Sequence, residues 1–172
     1  MRTENMLSLI LKKIDKDTFL MKENLNQENL TSKIRLMLSD ICMEKDAEKL
    51  EIILCVLISF EEIQHELVDY LNQIILMDWH KQHENLAMIL QNIKSPTSVE
   101  SLYCTVYKRY SYLAYDESYA LAVKCIWALG AIKDECAIEK LEQIVVSADN
   151  SIIKENAIKQ LELIKSTEHS QQ

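Results

Sequence analysis

The chain has 172 residues with one glycine and one proline, is 48% hydrophobic and 27% charged, and carries a formal net charge of −8. One glycine cannot build a glycine-rich nucleotide loop or the Asn-Gly and Gly-Gly turns of tight hairpins, and the scarcity of both residues favours helices, whose interiors they weaken. The acidity argues against a nucleic-acid partner, for which a basic stripe is expected, and no run reaches the roughly 18 apolar residues of a membrane span.

Leu7, Ile10, Leu11 and Ile14 recur at helical spacing and predict a first amphipathic helix. Residues 15–27 are polar and read as a connector. Leu30, Ile34, Met37, Leu38 and Ile41 predict a second helix, and Asp46 caps a third carrying Leu50, Ile53, Leu54 and Leu57. Ser59 and Glu62 have capping-box spacing before Ile63, Leu67, Leu71 and Ile74. After a break at Met77 to His80 comes a fifth helix with Leu86, Ile89, Leu90 and Ile93, ended by Ser95-Pro96. Thr97 and Glu100 repeat the capping-box spacing and open a sixth with Leu102 and Val106. Ala122, Cys125, Ile126 and Leu129 mark the seventh, with Gly130 expected as its left-handed C-terminal residue. Asp134 caps the eighth (Ile138, Leu141, Ile144), and the ninth holds Ile153, Ala157, Leu161 and Ile164. Leucine (23) and isoleucine (20) outnumber valine (7) and threonine (6), which favours helices packed on helices.

The elements repeat. Leu71 to Ile74 recurs as Leu141 to Ile144, 70 residues later, with Val106 midway, and Ala122 lies 35 before Ala157. Three helix pairs follow, at about 63–94, 97–131 and 134–165, with Arg109 standing where Ile74 and Ile144 align. A period near 35 with two helices per unit predicts an all-α solenoid, because each pair has two apolar sides and buries both only by stacking. The length suits one domain over 1–172, with N-terminal capping helices over 1–60 and a frayed tail at 166–172.

The stretch Ala128-Leu129-Gly130-Ala131-Ile132-Lys133-Asp134, with Ala137, Ile138 and Leu141 after it and then Asp149, Ile152 or Ile153, Ala157 and Leu161, resembles HEAT-like repeats of the phycobilisome-lyase type. The resemblance covers about 117–165. It implies a right-handed α–α superhelix of stacked helix pairs acting as a binding scaffold, without implying lyase activity.

No motif points to catalysis. His80, His83 and Glu84 fall along one helix turn, but a zinc site needs about four ligands and nothing nearby supplies the rest. Both histidines are expected to be solvent-exposed, and no metal or cofactor is expected. Cys42, Cys55, Cys104, Cys125 and Cys136 lack C-x-x-C spacing and read as reduced, buried thiols. With no small-residue cleavage site after the N-terminus, a cytoplasmic protein is expected.

Six of the seven tyrosines lie between residues 103 and 119. Tyr103, Tyr107 and Tyr110 share a helix face and Trp127 reads as core packing, whereas Tyr112, Tyr115 and Tyr119 lie in a connection beside Asp116 and Glu117. Tyrosine suits interfaces because it joins a rigid apolar ring to a polar tip. Residues 36–79 carry ten acidic and two basic groups. The expected protein-binding residues are therefore Tyr110, Tyr112, Tyr115, Asp116, Glu117 and Tyr119, with Glu61, Glu62, Glu66, Asp69 and Trp79. The expected function is non-enzymatic binding of a basic protein, in concrete form an immunity protein neutralising a toxin domain. An adaptor or assembly subunit, lyase-like or chaperone-like, is the alternative, and a HEAT-like DNA glycosylase fits the acidity least.

Overall fold

The computed structural model describes residues 1–169, and no strand occurs among them. The chain forms two compact units, Met1–Tyr70 and Leu71–Gln172. The boundary falls within the span read as the first repeat.

The first unit holds α1 (Thr3–Ile10), α2 (Lys16–Glu23), α3 (Gln27–Glu44), α4 (Ala47–Ser59) and a 3₁₀ segment (Glu61–Leu67) leading into α5 (Val68–Ile74), which carries the boundary. The first helix turns a different face inward from the one expected. Met6 and Leu9 are buried, while Leu7 and Leu11 are exposed. The connector expected over 15–27 contains α2. Asp15 accepts from the Thr18 amide at 2.8 Å to start it, and Asn24 ends it in the left-handed region. One apolar side chain holds it: Phe19 is fully buried, its ring 5.9 Å from that of Phe60.

Asp46 caps α4 through the Lys49 amide at 2.9 Å, as its position predicts. Ser59 does not open a capping box. It is the last residue of α4, and its hydroxyl donates to the Cys55 carbonyl. Ile63, Leu67, Leu71 and Ile74 are nonetheless all buried; a 3₁₀ turn followed by an α turn keeps them inward.

The second unit continues with α6 (His83–Ile93), α7 (Val99–Tyr107), α8 (Ala120–Ile132), α9 (Glu135–Ser147) and α10 (Ser151–His169), with 3₁₀ turns at Pro96–Ser98 and Ser111–Leu113. Helices α6 and α10 both pack on α8, α7 packs on α8, α9 on α10, and α7 touches α9. The repeat-equivalent residues Leu71, Val106 and Leu141 are buried alike, as are Ala122 and Ala157. The tail expected to fray from 166 is helical through His169, and residues 170–172 lie outside the described residues.

The predicted Thr97 box is also absent. Ser95 caps the turn by accepting from the Thr97 amide, and Glu100 pairs with Lys140 at 2.9 Å. Gly130 does not end α8. It lies inside α8, and the left-handed residue is Lys133. Helix α10 packs close to this point: a Cβ on Gly130 would stand 2.8 Å from Cδ of Gln160, so the residue without one fits here inside the helix. Lysines 12, 45 and 94 adopt positive φ at the other helix ends, with Asn24, so among the described residues the left-handed caps are built without glycine.

Trp127, expected in the core, is 42% exposed and donates its Nε1–H to Asn156 at 3.1 Å. The cysteines are free, but only Cys125 is buried; Cys42 and Cys55 are half-buried, and Cys104 and Cys136 are exposed. Among the described residues no helix is long and apolar enough to cross a membrane.

Candidate functional site

The aromatic-rich connection between α7 and α8 is the most distinctive region of the second unit. Helix α7 stops at Tyr107, and the chain reaches α8 only at Ala120. Tyr110, expected on the α7 face with Tyr103 and Tyr107, lies beyond the helix. Only 6% of it is exposed, and its hydroxyl donates to the Ile75 carbonyl at 2.9 Å. It is a core side chain and offers no ring to a partner.

Tyr110 is buried against histidines that the sequence places on the surface. His80 and His83 are 2% and 0% exposed, with ring centroids 4.2 Å apart. His83 also packs on the Tyr110 ring at 3.7 Å. The hydrogen bonds select the neutral tautomers. Nε2 of His80 faces the Ile74 carbonyl at 2.8 Å, so it carries the proton, and Nδ1 accepts from the Gln82 amide. Nε2 of His83 faces the Met77 carbonyl at 2.7 Å, which leaves Nδ1 to accept from the Tyr112 hydroxyl at 2.8 Å. Burial drives His83 down to about 4, with Lys108 and His80 adding to it and the Met77 carbonyl opposing; burial lowers His80 too. Burial and Glu84 push Tyr112 up to about 12. Trp79 is half-buried beside them, meeting His80 edge-on and donating Nε1–H to Met77 Sδ. These groups are fully partnered and lock the connection onto α6. Among the described residues no group of three or more His, Cys, Asp or Glu side chains converges on a common point.

The rest of the connection faces outward. Tyr115 is 96% exposed and Glu117 is exposed. Asp116 braces them from within: one carboxylate oxygen accepts from the Ser118 amide and hydroxyl, the other from the Ala120 amide at 2.8 Å. Those bonds, the Ser118 hydroxyl foremost, hold its carboxyl below the usual range. Asp116 is therefore a loop clamp. Tyr119 is half-buried, with the Arg109 guanidinium 5.3 Å above its ring.

Beneath the connection is a cleft of about 520 Å³. Val106, Tyr110, Leu121 and Ala122 line it, with Arg109, Asp116 and Tyr119 around them. Arg109 stands 35 residues from both Ile74 and Ile144, where that spacing predicts an aliphatic side chain, and this departure is the sequence signal for it.

The other expected site residues lie in the first unit. Glu61, Glu62, Glu66 and Asp69 are exposed on the 3₁₀ segment and the start of α5. Glu62 is engaged by Lys16 at 3.3 Å and Gln27 at 3.2 Å, so its charge is partly neutralised. No family model matches the chain, and no characterised protein or solved structure shows significant similarity to it.

Proposed function

We propose that this chain is a non-catalytic protein-binding module of the HEAT-like helical-repeat kind that acts by covering a basic partner. The alternation of contacts in the second unit supports the repeat reading: α6, α8 and α10 neighbour one another in turn, and α7 neighbours α9. That is the pairing expected of stacked helix pairs.

The observation that carries the binding reading is Tyr115. A nearly fully exposed aromatic ring stands on a loop clamped by Asp116 and anchored by Tyr110 and Tyr112. Its surroundings are held before any partner arrives, so less conformational entropy is lost on docking. Glu117 beside it, in a chain of net charge −8, favours a cationic surface. The most concrete form is a cytoplasmic immunity protein that neutralises a basic toxin domain.

Co-expression of the full chain with basic toxin domains, followed by pull-down, tests this. Protection and retention are expected. Tyr115→Ala is expected to cost about 2 kcal/mol of binding, and added salt to slow association. Retention of a harmless subunit without protection points to an adaptor instead. Absence of both retention and protection sinks the reading.

A further inference from the structure

We infer that the cleft beneath the α7–α8 connection is a binding site for a small carboxylate bearing an apolar body, with Arg109 as its anchor. The repeat explains how the cleft arises. Ile74 and Ile144, at the equivalent positions, are buried. At Arg109 the helix has already ended and the side chain is exposed. A buried aliphatic is replaced by a cation at the edge of a cavity, and the floor that the aliphatic would cover is lined by Val106, Leu121 and Ala122, all buried.

Arg109 is the available charge. Its guanidinium lies over the Tyr119 ring, and among the described residues it takes part in no ion pair. The guanidinium lies within cation–π range of that ring, and its N–H fork is suited to bind a carboxylate in bidentate fashion. Lys108 does not compete, because its ammonium is directed to the Leu76 carbonyl over the Tyr110 ring. Asp116, the acid in the lining, already has both oxygens engaged by Ser118 and Ala120.

The backbone is an independent pointer. Among the described residues six non-glycine residues have positive φ, and five of them sit at helix ends, where the left-handed conformation is usual. Tyr119 is the sixth, at φ 55 and ψ 36, and it occupies the N-cap of α8, where extended backbone is the rule. An aromatic side chain held there is strained, and such strain concentrates at ligand sites. Asp116 maintains it, and the result is the ring under Arg109. The cleft's volume of about 520 Å³ falls in the range of small-molecule sites.

Benzoate and its neutral isostere benzamide, titrated into the full chain and followed by amide NMR shifts, test the assignment. Benzoate is expected to bind in the millimolar range and to shift amides from Arg109 to Ala122. Benzamide is expected to bind about tenfold more weakly. Arg109→Gln, at an exposed position, is expected to fold normally by circular dichroism and to lose that preference. Arg109→Lys, which keeps the charge without the fork, is expected to fall between. Equal binding of benzamide, indifference to Arg109→Gln, or shifts confined to residues outside the cleft would overturn the assignment.

Discussion

His83 illustrates how a polar side chain becomes a core residue. Its two nitrogens have one carbonyl and one hydroxyl as partners, and its ring is sandwiched between His80 and Tyr110. As a neutral group it is fully satisfied; as a cation it is desolvated beside Lys108 and a second imidazole, with Asp78 as the opposing charge. Its folded pKa of about 4 lies below the ordinary 6.5, so the unfolded chain binds the extra proton first. The resulting stability is complete above about pH 6.5 and is lost as pH falls towards 4. His80 shifts in the same direction. Urea midpoints of the wild type are therefore expected to fall between about pH 7 and 5, before most carboxylates titrate. His83→Gln is expected to start lower and to respond less steeply. A variant as steep as the wild type would dismiss the histidine as the cause.

Helix boundaries follow local chemistry at some ends and distant packing at others. Asp46 and Asp134 cap α4 and α9 as their positions alone predict, through the amides of Lys49 and Ala137. Helix α2 escapes a periodicity search because one residue, Phe19, supplies its buried anchor. Gly130 presents two opposing effects within α8. Alanine there gains about 1 kcal/mol of helix propensity, but its Cβ displaces the Gln160 side chain, which lies 2.8–2.9 Å away at Cδ and Cγ. Gly130→Ala alone is expected to show little net gain in thermal melts. Gly130→Ala combined with Gln160→Ala is expected to recover about 1 kcal/mol relative to Gln160→Ala alone. Equal effects of Gly130→Ala in both backgrounds would mean that Gln160 imposes no restraint.

Each of the two units buries its own set of large aliphatic side chains, and cavity effects belong to the unit in which they are made. Leu129, fully buried in α8 where α6, α7 and α10 meet, is such a position. Leu129→Ala is expected to cost about 2–5 kcal/mol and to speed amide exchange chiefly in α6–α10. Exchange that rises first in α1–α4 would contradict that division. The net charge of −8 acts over the whole chain, and it bears on partner choice more than on folding.

The sequence by itself determined that the chain is helical, where most helices lie, and which residues recur at buried positions: Leu71, Val106 and Leu141 needed only spacing. It also placed Arg109 where the 35-residue spacing from Ile74 and to Ile144 leads one to expect an aliphatic side chain. Only the tertiary structure decided that His80, His83 and Tyr110 are interior, that Trp127 is half open, that Met6 and Leu9 face inward, and that Gly130 marks a helix crossing. The physical reason is that periodicity reports the apolar side of a helix, a local property. Burying an imidazole requires matched hydrogen-bond partners, and Tyr112, the partner of His83, lies 29 residues away in sequence. No local pattern encodes that meeting; it exists once α7 ends early and the chain folds back onto α6.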